Sequence, residues 1–230
     1  MMLNGKVVLV TGSTGGLGGA VTEAFLNAGA RVAGVARAGK QPIATENHIE
    51  LAADLDTLLA AQAVVRNVAD QWDRIDVLVH LVGAFAGGKP VADIDDATME
   101  KMFDLNFRSA FHMIRAVLPG MRTQGGGRIL AIGSKFAVSP ATTVGAYAAS
   151  KAALVSLIQT VARENADKAI TANVVLPGTM DTPANRAAMP GVDPAKWVQP
   201  AQVASLLVHV AGDGASAMNG AVIPIYGSEL

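Results

Sequence analysis

The chain has 230 residues, a formal charge of −1, a pI near 6.4 and a 51% hydrophobic composition. That length and apolar content support one well-buried domain spanning 1–230, and so slight a charge leaves no electrostatic footprint for nucleic acid or an anionic membrane. Cysteine is absent, the four histidines (His48, His80, His112, His209) fall at no metal-ligand spacing, and no run reaches the roughly 18 apolar residues of a membrane span. Met1 to Lys6 lacks a charged-then-apolar signal, so a cytoplasmic protein without a metal centre is expected.

Lys6 to Thr11 is a short β-branched run suited to a strand buried on both faces. Glycines follow, then a helical pattern through Val21, Phe25 and Leu26 that stops at Ala28-Gly29. Arg31 to Ala36 reads as a second strand, His48 to Leu51 as a short third, and Asp54 to Ala69 as a helix. Strand patterns recur at Val77 to Val82, Gly127 to Ile132, Thr171 to Leu176 and Ala221 to Ile225. Helical ones recur at Thr98 to Met121, Ala146 to Ala166 and Ala201 to Val210. Strands alternating with helices imply an α/β fold: a doubly wound parallel sheet of about seven strands, Rossmann-type, with helices on both faces. Gly178 to Pro200 has little periodicity and carries Pro183, Pro190, Pro194 and Pro200, which suits a long surface loop or a lid around 179–200.

Thr11-Gly12-Ser13-Thr14-Gly15-Gly16-Leu17-Gly18 places Gly12, Gly16 and Gly18 between a predicted strand and a predicted helix. Such glycines let the backbone turn tightly against a pyrophosphate, while the helix N-terminus supplies amide donors and positive potential. Ser13, Thr14 and Leu17 are placed for backbone or hydroxyl contacts. The end of the second strand bears on the choice of dinucleotide, because an acid there accepts from both ribose hydroxyls and repels a 2′-phosphate. Here that position is Ala36, followed by Arg37, which favours NADP(H) over NAD(H); Lys40 is a possible second cation.

Ala146 to Lys151 reads Ala-Tyr-Ala-Ala-Ser-Lys, so Tyr147 and Lys151 leave one helical face a turn apart. A phenol titrates near 10 in water, and an ammonium one turn away is expected to draw that pKa toward the working range. With the glycine turn, Asn106 and Ser134, this pair resembles the short-chain dehydrogenase/reductases. The resemblance implies an enzyme in which Tyr147 exchanges a proton with a carbonyl or carbinol oxygen. It also implies that Lys151 contacts the phenol and the nicotinamide ribose, that Ser134 bonds the same substrate oxygen, and that Asn106 kinks its helix and holds a relay water. Asp54-Leu55 matches the family's motif beside the adenine. His80-Leu81-Val82-Gly83 stands where many members have Asn-Asn-Ala-Gly, keeping only Gly83; His80 is expected to pack. Pro177-Gly178-Thr179-Met180-Asp181-Thr182 fits the family's Pro-Gly-x-x-x-Thr turn beside the nicotinamide carboxamide.

The segment with Asp181 to Arg186, Met189-Pro190 and Trp197, and the run Gly83 to Gly88, look similar to dihydropteridine reductases. Ala36 and Ser134 depart from that pattern and favour a general carbonyl reductase, with reduction of a C=N ring as the second enzyme reading. A non-catalytic dinucleotide sensor on the same fold is the reading from another class; Tyr147 and Lys151 argue against it. Phe85, Met189 and Trp197 are candidates for an apolar substrate pocket or for lid packing. Phe103, Phe107, Phe111, Ile114 and Leu118 form one stripe that must face the sheet or a partner, and family members pair such helices as homodimers or homotetramers.

Overall fold

The computed structural model describes residues 2–37 and 43–228. Seven strands form one all-parallel sheet: β1 (Val7–Thr11), β2 (Arg31–Ala36), β3 (His48–Ala52), β4 (Val77–His80), β5 (Gly127–Ile132), β6 (Ile170–Pro177) and β7 (Val222–Ile225). Their order across the sheet is β3-β2-β1-β4-β5-β6-β7. The winding therefore reverses between β1 and β4, and a crevice opens at the carboxyl ends of that pair. Every residue of β1 and β6 is buried, as expected of central strands covered on both faces.

One face is covered by α2 (Leu58–Trp72), α4 (Ser109–Thr123) and α5 (Gly145–Glu164), through side chains such as Val64, Val68, Met113, Leu154 and Ile158. The other lies under α1 (Gly18–Asn27) and α7 (Pro200–Ala211), where Val21, Phe25, Val203 and Leu207 are buried. Each such side chain contributes about 1.5–3 kcal/mol on leaving water, so the two cores hold the sheet rigid beneath the crevice. No helix among the described residues is long and apolar enough to cross a membrane.

Several boundaries differ from the sequence expectation for local reasons. α2 starts at Leu58 instead of Asp54, because Thr57 is its N-cap and accepts from the Ala60 N–H at 3.2 Å. β4 ends at His80, which leaves Leu81 and Val82 in the loop that follows. The helix expected over Thr98 to Met121 is three pieces: α3 (Asp96–Phe103), a π-turn at Asp104–Arg108, and α4. The segment expected as a loop at 178–200 contains α6 (Pro183–Ala188) and a 3₁₀ turn at Pro194–Lys196. Its two ends are stitched together: Val198 N–H donates to Thr179 O, and Asp181 N–H to Val198 O, both at 2.8 Å. Asp181 and Arg186 add a bidentate ion pair that holds the Asp181 carboxyl below the usual carboxylate range.

Candidate active site

Just past β1 the chain turns back at Gly12, whose φ of +73° suits a residue without a Cβ. Gly12 N–H bonds Val35 O at 2.7 Å and Gly15 N–H bonds Gly12 O at 3.0 Å, fixing the loop against β2. The backbone N–H groups of Thr14 and Gly16 have no partner among the described residues, and both residues are exposed just before α1 begins. A cleft of about 440 Å³ opens beside Ser13 and Thr14. Free amides at the start of a ten-residue helix, beside a cleft, fit the diphosphate of a dinucleotide. Leu17 differs from its neighbours in the loop: at 6% exposure its side chain belongs to the core, so only its backbone faces the loop.

The loop touches two other predicted segments. A side chain at Gly16 would press on Thr182, and one at Gly12 on the backbone of Val82. The Thr182 hydroxyl is already used as the N-cap of α6, accepting from Asn185 N–H at 3.3 Å. Gly178 N–H is tied to Ile225 O at 3.0 Å, at the carboxyl end of β6 beside Pro177. After β3, Asp54 is exposed while Leu55 is buried in the core. Arg37 is exposed at the end of β2, and Lys40 lies outside the described residues.

Beyond β4 and β5 the remaining site residues converge. Ser134 accepts from Phe136 N–H at 3.2 Å and shares a hydrogen bond with Tyr147. Tyr147 is half-buried near the start of α5, with the Phe85 ring edge-on at 5.0 Å and Phe136 at 6.4 Å. One turn later Lys151 is 4% exposed and donates from Nζ to Ile132 O at 2.8 Å. Gly83 fits between two polar groups: a Cβ there would come within 3.0 Å of Lys151 Nζ and 2.8 Å of Asn106 Oδ1. Asn106 is fully buried in the π-turn, its Oδ1 accepting from Ala84 N–H at 2.8 Å. Its Nδ2 donates at 3.0 Å both to Ala84 O and to Ser150 Oγ, and that hydroxyl donates to Tyr147 O at 2.8 Å. The Asn106 amide thus clamps the 83–84 loop to α5.

The electrostatics correct one expectation. Burial raises the Tyr147 pKa above its ordinary value, and the opposing influence is the Ser134 hydrogen bond, not the Lys151 charge. Lys151 is itself desolvated, and burial brings its pKa down to about 8. His80 does more than pack: Nδ1 meets Thr11 Oγ1 at 2.9 Å, and Nε2 meets Ser109 Oγ at 3.2 Å beside the π-turn. Burial first, then the Lys151 charge, hold its pKa down near 3, so the ring is neutral.

Of the apolar candidates, Phe85 is 64% exposed and Met189 half-buried. Trp197 is only 5% exposed, at the foot of the 178–200 segment. The aromatic stripe divides. Ile114 is buried in the core, whereas Phe107 stacks on Phe111 at 6.1 Å, Phe103 meets Phe107 edge-on, and the Arg115 guanidinium lies 5.3 Å over Phe111.

A reversing parallel sheet, a glycine turn that fits a diphosphate, and a Tyr-Lys pair at the same crevice define an NAD(P)-binding oxidoreductase fold. Residues 6–192 match the family model for short chain dehydrogenase, and the chain belongs to that family of enzymes. It is 32% identical to the uncharacterized oxidoreductase YvrD of Bacillus subtilis (strain 168), over 99% of this chain and 97% of that one. It is 29% identical to the 3-oxoacyl-[acyl-carrier-protein] reductase FabG of Vibrio harveyi, over 99% and 98%. Its fold matches the crystal structure of a 3-ketoacyl-(acyl-carrier-protein) reductase from Brucella melitensis complexed with NADH, with a TM-score of 0.87 at 22% identity over 99% and 100% of the two chains.

Proposed function

We propose that this enzyme interconverts a carbonyl and a secondary alcohol, with NADP(H) as the preferred dinucleotide. The observation that carries the reading is the meeting of Ser134, Tyr147 and Lys151 at the carboxyl ends of the sheet, with Gly83 wedged against Lys151 and Asn106. The dinucleotide supplies hydride exchange at its nicotinamide ring. Tyr147 Oη gives its proton to the carbonyl oxygen in reduction and takes it back in oxidation. Ser134 Oγ donates to the same oxygen and stabilises charge developing there. Lys151 holds the nicotinamide ribose, and Asn106 is a positioning residue that fixes α5 against the 83–84 loop.

The turn Pro177 to Thr182 would hold the nicotinamide end of the dinucleotide, and the segment 179–200 would cover the substrate as a lid. Phe85 and Met189 offer an apolar lining. Arg37, with Ala36 in place of an acid, supports NADP(H). The relationship to a protein named as a 3-oxoacyl reductase supports the carbonyl reading over reduction of a C=N ring. A panel of ketones, 3-oxoacyl thioesters and quinonoid pterins, read by NADPH consumption, is expected to show turnover on carbonyls. Turnover on pterins alone would replace this reading with the second.

The row of half-buried Phe103 and Phe107 and exposed Phe111 supports a homodimer or homotetramer built on these helices. Light scattering at micromolar concentration is expected to give a multiple of the 23.5 kDa chain mass. A monomer would refute the assembly. A cytoplasmic location accords with this chemistry.

A further inference from the structure

The end of β2 lacks a carboxylate, yet one reaches the glycine loop from the neighbouring strand. Glu50 of β3 pairs in register with Gly34 of β2, so the two residues point to the same face of the sheet. Gly34 offers no side chain, and any Cβ there would collide with the Glu50 carboxyl group. The carboxylate crosses that bare position. Its Oε2 accepts from Ser13 Oγ at 2.7 Å and its Oε1 lies 3.1 Å from His48 Nε2. Ser13 is 4% exposed, and the cleft that opens beside it is also lined by Thr14, Glu23 and His48. Among the described lining residues that cleft holds two carboxylates and no lysine or arginine. Arg37, the cation expected to meet a 2′-phosphate, is not one of its walls.

We infer that Glu50 is a specificity-determining residue for the dinucleotide: reaching across Gly34, it stands in for the missing acid of β2, favours free ribose hydroxyls and narrows the preference for NADP(H). The inference rests on the reading that the glycine loop binds a dinucleotide. A carboxylate accepts hydrogen bonds from hydroxyls, and toward a phosphate it is a like charge in a partly desolvated cleft. Arg37 and Glu50 therefore pull in opposite directions, and the selectivity of the wild type is their difference.

The test is a fluorescence titration of NADPH and NADH against substrate-free wild type, Glu50→Gln, Glu50→Ala and Arg37→Ala, with circular dichroism confirming folded protein. Glu50→Gln is expected to shift the NADH-to-NADPH ratio of dissociation constants about tenfold toward NADPH. Glu50→Ala should move it the same way, so either variant decides if the other fails to fold. Arg37→Ala should move it the opposite way. A Glu50 that only buttresses Ser13 would weaken both cofactors alike and leave the ratio unchanged, which overturns the inference. Wild type that prefers NADH, with the ratio still moving in the Glu50 variants, would overturn the NADP(H) reading and uphold this one. Binding of neither cofactor to wild type would overturn both.

Discussion

Tyr147→Phe is expected to lower turnover by more than about 10³-fold, while folding and NADPH affinity stay within about twofold of wild type. The substitution removes one oxygen and keeps the ring, so the edge-on contact with Phe85 and the helix around it persist. What is lost is the hydroxyl that shares a hydrogen bond with Ser134. Ser134→Ala should fall between the two, on the order of 10²–10³ below wild type, as expected for one donor to a developing oxyanion. Because burial raises the phenol pKa, Tyr147 keeps its proton throughout the neutral range and is ready to donate it in reduction. Reduction should accordingly be level from pH 6 to about 8 and decline above that, as Lys151 loses its charge. Substantial turnover in Tyr147→Phe would remove Tyr147 from the chemistry.

Lys151→Met should separate stability from function. Burial lowers the folded-state pKa of Lys151 from 10.5 to about 8, so between those values the unfolded chain holds a proton that the folded chain has released. Stability then rises with pH across that window, and below it the buried charge costs about 3 kcal/mol. Methionine fills similar volume without the charge, at the loss of the bond to Ile132 O, worth about 1–3 kcal/mol. The variant is expected to melt no lower than wild type and up to about 8 °C higher at pH 7, with the gain fading as pH rises toward 10.5. Turnover should drop at least about 100-fold and dinucleotide binding should weaken. A variant less stable than wild type at pH 7 would show that the ammonium is held by the fold instead of against it. Measuring melting temperature at pH 7 and pH 10 decides the matter.

The parts that announced themselves in the sequence were those with local causes. β2 and β5 have the expected limits, because each is an apolar run bounded by turn residues. The glycine loop was readable for the same reason, lying between an apolar run and an amphipathic one. What remained hidden depended on partners far along the chain. His80 looked like packing because nothing near it in sequence reveals that Thr11 and Ser109 would meet its two nitrogens. Trp197 read equally as a pocket residue or as lid packing, because an aromatic among prolines does not reveal its burial, which is 5% exposure in the fold. The Tyr-Lys spacing put both residues on one helix, as α5 has them, but gave no sign of the burial of Lys151, which is a property of the assembled crevice. Glu50 drew no notice, for its reach depends on an unoccupied face at Gly34 on the next strand.

The stitched ends of the 178–200 segment carry a consequence for how such a scaffold diversifies. Thr179, Asp181 and Val198 join backbone to backbone at the foot, while Pro190 to Asp193 at the tip are exposed. A stretch of chain whose entry and exit lie side by side is a cassette. Residues can be added, deleted or swapped at its tip without parting the ends or disturbing the strand that feeds it. Tyr147 on α5 and Ser134 after β5 lie outside the cassette, so on the function proposed above a change of substrate and a change of chemistry fall to separate stretches of chain.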